Sequence, residues 1–278
     1  MLIRQPAVAG MFYNLNPKML KKQIESCFKH ELGSKKIEKE KFIGCVVPHA
    51  GYPYSGPIAS WVYSRIPECN YIILGPNHRI FGSRFGVMKE GVWKTPLGSA
   101  KIDDKFATKL INSCPLLEYD ILSHEAEHSI EVQLPFLQYR FDEKFNFVPI
   151  CVMNEFPSFD FLDECKIIGK SIAKTIKKDK KKWIVIASSD FSHYIPYEEA
   201  YLTDNYVIDA IEKLNEKDFF LRIQEKNASV CGFGPIAIAI IASKELGAKK
   251  GKLLKYATSG DVTGGKDAIV GYASIILK

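Results

Sequence analysis

The stretch at residues 46–56, VVPHAGYPYSG, decides how the rest of the chain is interpreted. Residues 42–47 form a short apolar run, which is typical of a buried strand in a parallel sheet. The run ends at His49, and the small residues Ala50 and Gly51 follow at once. Small residues allow a close approach of the backbone, which suits either a tight turn or a ligand beside the imidazole. Both interpretations stay open at this point.

The same arrangement recurs along the chain. The apolar run at 71–74 leads into His78, and the run at 183–187 leads into Asp190 and His193. Helical patterns separate these runs, so strands and helices alternate from end to end. This alternation predicts an α/β fold, a three-layer sandwich with a mostly parallel central sheet. The predicted strands are 42–47, 71–74, 145–152, 183–187, 252–259 and 268–277, and a hairpin region is expected at 82–98. The predicted helices are 18–30, 57–66, 103–112, 129–139, 161–176, 201–214, 218–224 and 235–246.

Composition narrows the class of protein. The 278 residues are 46% hydrophobic and carry a net charge of +6, and nothing resembles a linker, so one domain over 1–278 is expected. The basic run at 177–182 lies between a helix and a strand and is expected to be a solvated turn, so no nucleic-acid partner is predicted. No apolar run reaches the ~18 residues of a membrane span. Seven cysteines without a CxxC pair or a secretory signal indicate free thiols in the cytoplasm.

The residues after the strands are candidates for chemistry. In parallel sheets, ligands bind beyond the carboxyl ends of the strands. Imidazoles from His49 and His78 could converge there, and imidazole suits zinc, copper and iron, although isolated strand-end histidines are commonly structural. Asp190 could fix the tautomer of His193, or it could cap a turn beside a surface histidine.

One cysteine stands apart from the other six. Cys231 precedes the apolar helix predicted at 235–246 and has glycines nearby. A thiol at the amino end of a helix is expected to have a lowered pKa. The alternative is a small buried hydrophobic residue, which is the usual place of a free cysteine.

The segment 124–128, HEAEH, has the form of the HExxH zinc motif. In a zinc protease, both histidines lie on one face of a helix. Here the strongly apolar positions start only at Ile130, so the motif is expected at a helix entrance. A zinc protease is therefore disfavoured.

Taken together, seven segments resemble the Memo family, in order and over nearly the whole chain. They are RQPAVAGMFY (4–13), PHAGYPYSG (48–56), GPNH (75–78), EHSIEVQLPFLQ (127–138), SSDFSHY (188–194), CGFGP (231–235) and YATSGD (256–261). The resemblance implies the fold of the class III extradiol dioxygenases, which hold non-haem iron(II) with two histidines and a glutamate. In the Memo family the corresponding pocket has two histidines and a cysteine.

The resemblance also implies roles for particular residues. The metal ligands would be His49, His78 and Cys231. Asp190 and His193 match the family's pocket-lining pair, with His193 as an acid/base outside the ligand set. Two further residues are expected to contact a substrate, namely Tyr54 and His128.

A thiolate in place of the dioxygenase glutamate is softer and oxidisable, so copper or zinc is expected to compete with iron(II). Three functions are compatible with the pocket that the resemblance implies. The first is a metal-dependent redox enzyme, an oxidoreductase that uses iron or copper on a small molecule. The second is a non-catalytic module that binds a peptide or a phosphate-bearing ligand in the inherited pocket. The third is a protein that buffers or delivers metal. The sequence does not choose between enzyme and binding protein, and it predicts no oligomeric state.

Overall fold

The computed structural model describes residues 2–278. Twelve strands are found within this range: β1 Ile3–Arg4, β2 Gly44–Val47, β3 Asn70–Pro76, β4 Phe85–Val87, β5 Val92–Thr95, β6 Gly98–Ile102, β7 Glu118–Tyr119, β8 Asn146–Val152, β9 Trp183–Ser188, β10 His193–Ile195, β11 Gly251–Thr258 and β12 Ile269–Leu277. The helices of the same range are α1 Pro17–Lys29, α2 Tyr52–Tyr63, α3 Asp104–Ser113, α4 Leu122–Glu125, α5 Leu134–Phe141, α6 Phe159–Lys177, α7 Tyr197–Glu212, α8 Glu216–Lys226, α9 Phe233–Glu245 and α10 Ser259–Thr263, with a 3₁₀ turn at Glu131–Gln133.

The strands form one mixed sheet with a parallel centre. Its middle strands run β6-β8-β3-β9-β2, and each neighbouring pair in this set is parallel. All residues of β2 and β9 are buried, as expected for strands covered on both faces. The antiparallel strand β12 closes one side by pairing with β2, β10 and β11. The predicted α/β fold with a mostly parallel sheet is confirmed.

Helices cover both faces of this sheet. Side chains on a strand point alternately to opposite faces. At Gly44 of β2, an added Cβ would contact Ser243 of α9. Helix α2 also contacts β2, and the hydroxyl of Ser274 in β12 donates to the carbonyl of Ile58 in α2. Helix α9 packs with α6, and α2 packs with α1, so these two pairs form the outer layers.

Two predicted helices differ most from the structure. The helix expected at 57–66 is Tyr52–Tyr63, because Pro53 occupies the first turn and Pro57 lies inside the helix. The helix expected at 129–139 is divided into a 3₁₀ turn and α5. Proline has no N–H to donate, and Pro135 is well placed in the first turn of a new helix.

No helix of the described residues combines the length and the apolar composition that crossing a bilayer requires.

Candidate metal centre

Three adjacent parallel strands place the candidate side chains at one edge of the sheet. Strand β9 lies between β3 and β2. His78, Asp190 and His49 each follow the end of their strand by two residues. Because the strands are parallel and adjacent, their carboxyl ends meet and the three residues come together.

Cys231 reaches this edge from the loop before α9. Its Sγ lies 3.4 Å from Nε2 of His49. Potential ligand atoms of His49, His78 and Cys231 all lie within 4.8 Å of one another. The structure therefore brings together the three residues that the sequence proposed as metal ligands.

A hydrogen-bond network determines the tautomer of His49. Its Nδ1 lies 2.9 Å from Oγ of Ser188. The single hydroxyl proton of Ser188 is donated to the carbonyl of Ser129 at 2.6 Å, while the Gln133 amide donates to the same Oγ at 2.7 Å. Ser188 must therefore accept the proton of Nδ1, which leaves the lone pair of His49 on Nε2. Burial lowers the pKa of His49, so the ring stays neutral, the form that binds metals.

Two more imidazoles surround His49. The ring of His78 lies 5.2 Å from that of His49, and the ring of His128 lies 5.4 Å from it. His78 and His128 stack on each other at 4.7 Å. Nδ1 of His78 is 3.0 Å from Oε1 of Glu127, and His78, Glu127 and His128 form a second group with metal-ligand spacing.

The thiol of Cys231 does not have the lowered pKa that its position before a helix suggested, and that prediction is wrong. Burial, followed by the charge of Asp190, raises the pKa of Cys231. The enclosure of Sγ outweighs the helix terminus, because removal from water disfavours the thiolate. One backbone N–H, that of Asp190, does point at Sγ from 3.2 Å.

Asp190 and His193 face different partners. Oδ1 of Asp190 accepts the backbone N–H of His49 at 2.9 Å, and burial raises the pKa of Asp190 to about 6. His193 instead places Nδ1 2.8 Å from the carbonyl of Ser229. Among the hydrogen bonds of residues 2–278, none is between Asp190 and His193. His193 opens β10, and its ring turns towards the loop before α9.

A cleft of about 570 Å³ leads from the surface to His78 and Cys231. Eight apolar side chains line it, with amides and a serine, and none of its lining residues is a lysine, arginine, aspartate or glutamate. Ile80 and Phe156 are 71% and 63% exposed at its rim. Tyr54 and His128, which were expected to contact substrate, are outside this lining: Tyr54 is half exposed on α2, and His128 stacks on His78.

The HEAEH segment forms no zinc-protease helix. Helix α4 ends at Glu125, so His124 and His128 share no helical face. His124 is fully buried, with Nε2 3.1 Å from both the N–H of Met88 and the carbonyl of Gly86.

Sequence reasoning missed Ser188, Gln133 and Glu127 as supports of the site. All three lie inside segments that drew attention for other residues. A polar residue at the last position of an apolar strand was the available signal for Ser188.

Together, the fold and the cluster define an α/β protein with a histidine–cysteine centre at the carboxyl edge of its sheet. The family model described as "Memo-like protein" matches residues 4–276. A MEMO1 family protein of Methanopyrus kandleri is 44% identical over 284 residues, covering 99% of both chains. One from Methanococcus maripaludis is 46% identical over 289 residues, and one from Sulfolobus acidocaldarius is 42% identical over 289 residues, each covering 99% of both chains. The chain belongs to the Memo family.

A crystal structure of an uncharacterized Escherichia coli protein shares the fold. Its TM-score is 0.54 at 13% identity, and the match covers 85% of this chain and 100% of that one. At this identity the likeness concerns the fold alone.

Proposed function

We propose that this Memo-family chain binds one transition-metal ion, iron or copper, through His49, His78 and Cys231. The convergence of their ligand atoms within 4.8 Å carries the proposal. Zinc is a third candidate, because two imidazoles and a thiolate suit it as well. Such an ion would supply redox or Lewis-acid chemistry at the end of the cleft.

The protein contributes orientation and enclosure. Ser188 directs the Nε2 lone pair of His49 towards Sγ of Cys231, while the N–H of Asp190 stabilises the sulfur. Metal binding would favour the thiolate by releasing its proton, which offsets the raised pKa of the free thiol. His193, whose Nδ1 faces the Ser229 carbonyl, keeps Nε2 free for proton transfer.

The cleft favours a small, mainly apolar molecule as the second ligand. Apolar side chains such as Ile80, Phe156 and Phe233 surround the route to His78 and Cys231. A phosphate group would find no cationic side chain among the lining residues. This supports a small apolar molecule as the ligand over a phosphate-bearing one.

Metal content tests the proposal. Elemental mass spectrometry would compare the anaerobically purified wild type with a H49A/H78A/C231A variant. A matched control, H30A/C69A, removes a histidine and a cysteine outside the cluster. Near-stoichiometric iron or copper is expected in the wild type and the control only. Absence of metal from all three after anaerobic loading would overturn the proposal.

Turnover separates the remaining alternatives. Oxygen uptake with catechols or thiols by the loaded protein would support an oxidoreductase. Reversible metal exchange without oxygen uptake would indicate a metal-handling protein. Binding of an anionic peptide that survives complete metal removal would instead support the non-catalytic module.

A further inference from the structure

The carboxylate of Glu127 lies behind the candidate centre and is only 1% exposed. Its Oε2 accepts the backbone N–H of His78 at 2.6 Å. Its Oε1 accepts the backbone N–H groups of His128 and Ser129, both at 2.8 Å, and is the atom facing Nδ1 of His78.

These contacts decide between two roles for Glu127. A carboxylate offers about four lone-pair positions. Two of these positions are on Oε1, which already faces three N–H donors, the backbone groups of His128 and Ser129 and Nδ1 of His78, while Nδ1 of His128 lies 3.2 Å from the same oxygen. A metal ion between His78, Glu127 and His128 would have to displace them. The second group with metal-ligand spacing is therefore better explained as a hydrogen-bonded support than as a second metal site.

The position of the carboxylate is fixed independently of the imidazoles. The carbonyl of Glu127 accepts a hydrogen bond from the guanidinium of Arg4. The hydroxyl of Ser129 donates to the carbonyl of Pro76, at the end of β3, at 2.9 Å. The segment that carries Glu127 is thus attached to the same strand that presents His78.

We propose that Glu127 is the positioning residue of His78: it holds the proton on Nδ1, leaves the Nε2 lone pair for the metal, and thereby sets metal affinity. A carboxylate behind a metal-binding histidine fixes its tautomer and increases its basicity. His128, stacked on His78 at 4.7 Å, limits rotation of the same ring. This inference rests on the proposed function, because it assigns Glu127 a role at that metal centre.

The test pairs Glu127→Gln with Glu131→Gln. Glu131 is equally buried, but its hydrogen bonds come from Arg4, Tyr13 and two backbone N–H groups, and none comes from an imidazole. Iron(II) and copper(I) affinities of the folded full-length proteins would be measured by chelator competition. E127Q is expected to bind about 10–100-fold more weakly than wild type. Folded E131Q should bind both ions with wild-type affinity, even if the variant is less stable than the wild type.

The second readout needs no metal and no variant. Nitrogen-15 NMR of the metal-free wild type reports which nitrogen of His78 carries the proton, and Nδ1–H is expected. Wild-type affinity in folded E127Q, or a proton on Nε2 of His78 in the wild type, would overturn the inference. If the wild type binds no metal, the proposed function fails by itself, and an Nε2 proton would show separately that Glu127 does not position His78.

Discussion

Sγ of Cys231 lies 3.4 Å from Nε2 of His49, although 182 residues separate them along the chain. The contact arises because the loop before α9 crosses the end of β9, next to β2. An added Cβ on Gly232 would lie 2.5 Å from the carbonyl oxygen of Ser188, the last residue of β9. Sγ of Cys231 can reach Nε2 of His49 only while the loop before α9 stays packed against the end of β9.

Replacing Cys231 with serine should change which metal is preferred. Serine replaces the soft sulfur donor and leaves both imidazoles in place. Copper(I) affinity should therefore fall by more than the roughly 10–100-fold loss expected when a residue that only supports a ligand is replaced. Iron(II) affinity should fall less. Chelator competition with both ions measures this, and C69S, which alters a thiol outside the cluster, should behave as wild type. Equal losses for the two ions would contradict the expected role of the sulfur.

The substitution Gly232→Ala should disturb the crossing. The new methyl group would overlap Ser188 and Ser189, each at 2.5 Å, so a cost of about 1–3 kcal/mol is expected from overpacking. Urea denaturation would measure the loss, and metal stoichiometry should fall with it. Gly265→Ala is the matched control, since its methyl group would meet nothing closer than 3.8 Å. Equal stability of the two variants would show that the crossing tolerates a side chain.

Burial of His124 should make stability depend on pH. Burial, together with the charge of Arg4, lowers the pKa of His124 from 6.5 to about 4. Between these values the unfolded chain binds more protons, so the contribution of His124 is complete above pH 6.5 and is lost as the pH falls towards 4. The loss is at most about 3 kcal/mol.

Comparison with His124→Gln isolates this contribution. Burial raises the pKa of Asp190 and of Asp204 to about 6, and these acids act in the opposite direction in the same range. Such effects are common to wild type and variant and cancel in the difference. Urea denaturation at pH 7, 6, 5 and 4 should show the two stability curves converging as the pH falls, whereas parallel curves would refute the prediction.

The ion pair between Arg4 and Glu131 should be important for folding. Both side chains are almost fully buried, and Glu131 also accepts the N–H groups of Ala7 and Val8. Arg4→Met should cost about 3–5 kcal/mol, because it leaves an uncompensated buried charge. Chemical denaturation provides the measurement. Lys29→Met breaks the exposed pair with Glu25 and should leave stability unchanged, so similar losses in both variants would argue against burial as the cause.

Parts of the site could be inferred from single segments. His49, His78 and Asp190 were recognisable because each follows an apolar run, and parallel strands end at a common edge. Cys231 was distinguished from the other six cysteines by its position before an apolar helix and by its neighbouring glycines, and its role as a metal ligand came from the resemblance to the Memo family. A polar residue at the end of an apolar strand was a signal for Ser188, but its partner His49 lies 139 residues away, and the role of Glu127 could not be inferred because its partner His78 lies 49 residues away.

The pattern of apolar runs determined the layered α/β fold, since strand and helix periodicity reflect local backbone geometry and burial. The order of the segments determined the family. Only the tertiary structure decided that α4 ends before Glu127, that Cys231 has a raised pKa, and that His193 faces Ser229 rather than Asp190. Each of these depends on enclosure or on hydrogen bonds between distant segments, and such energies exist only once the chain has folded.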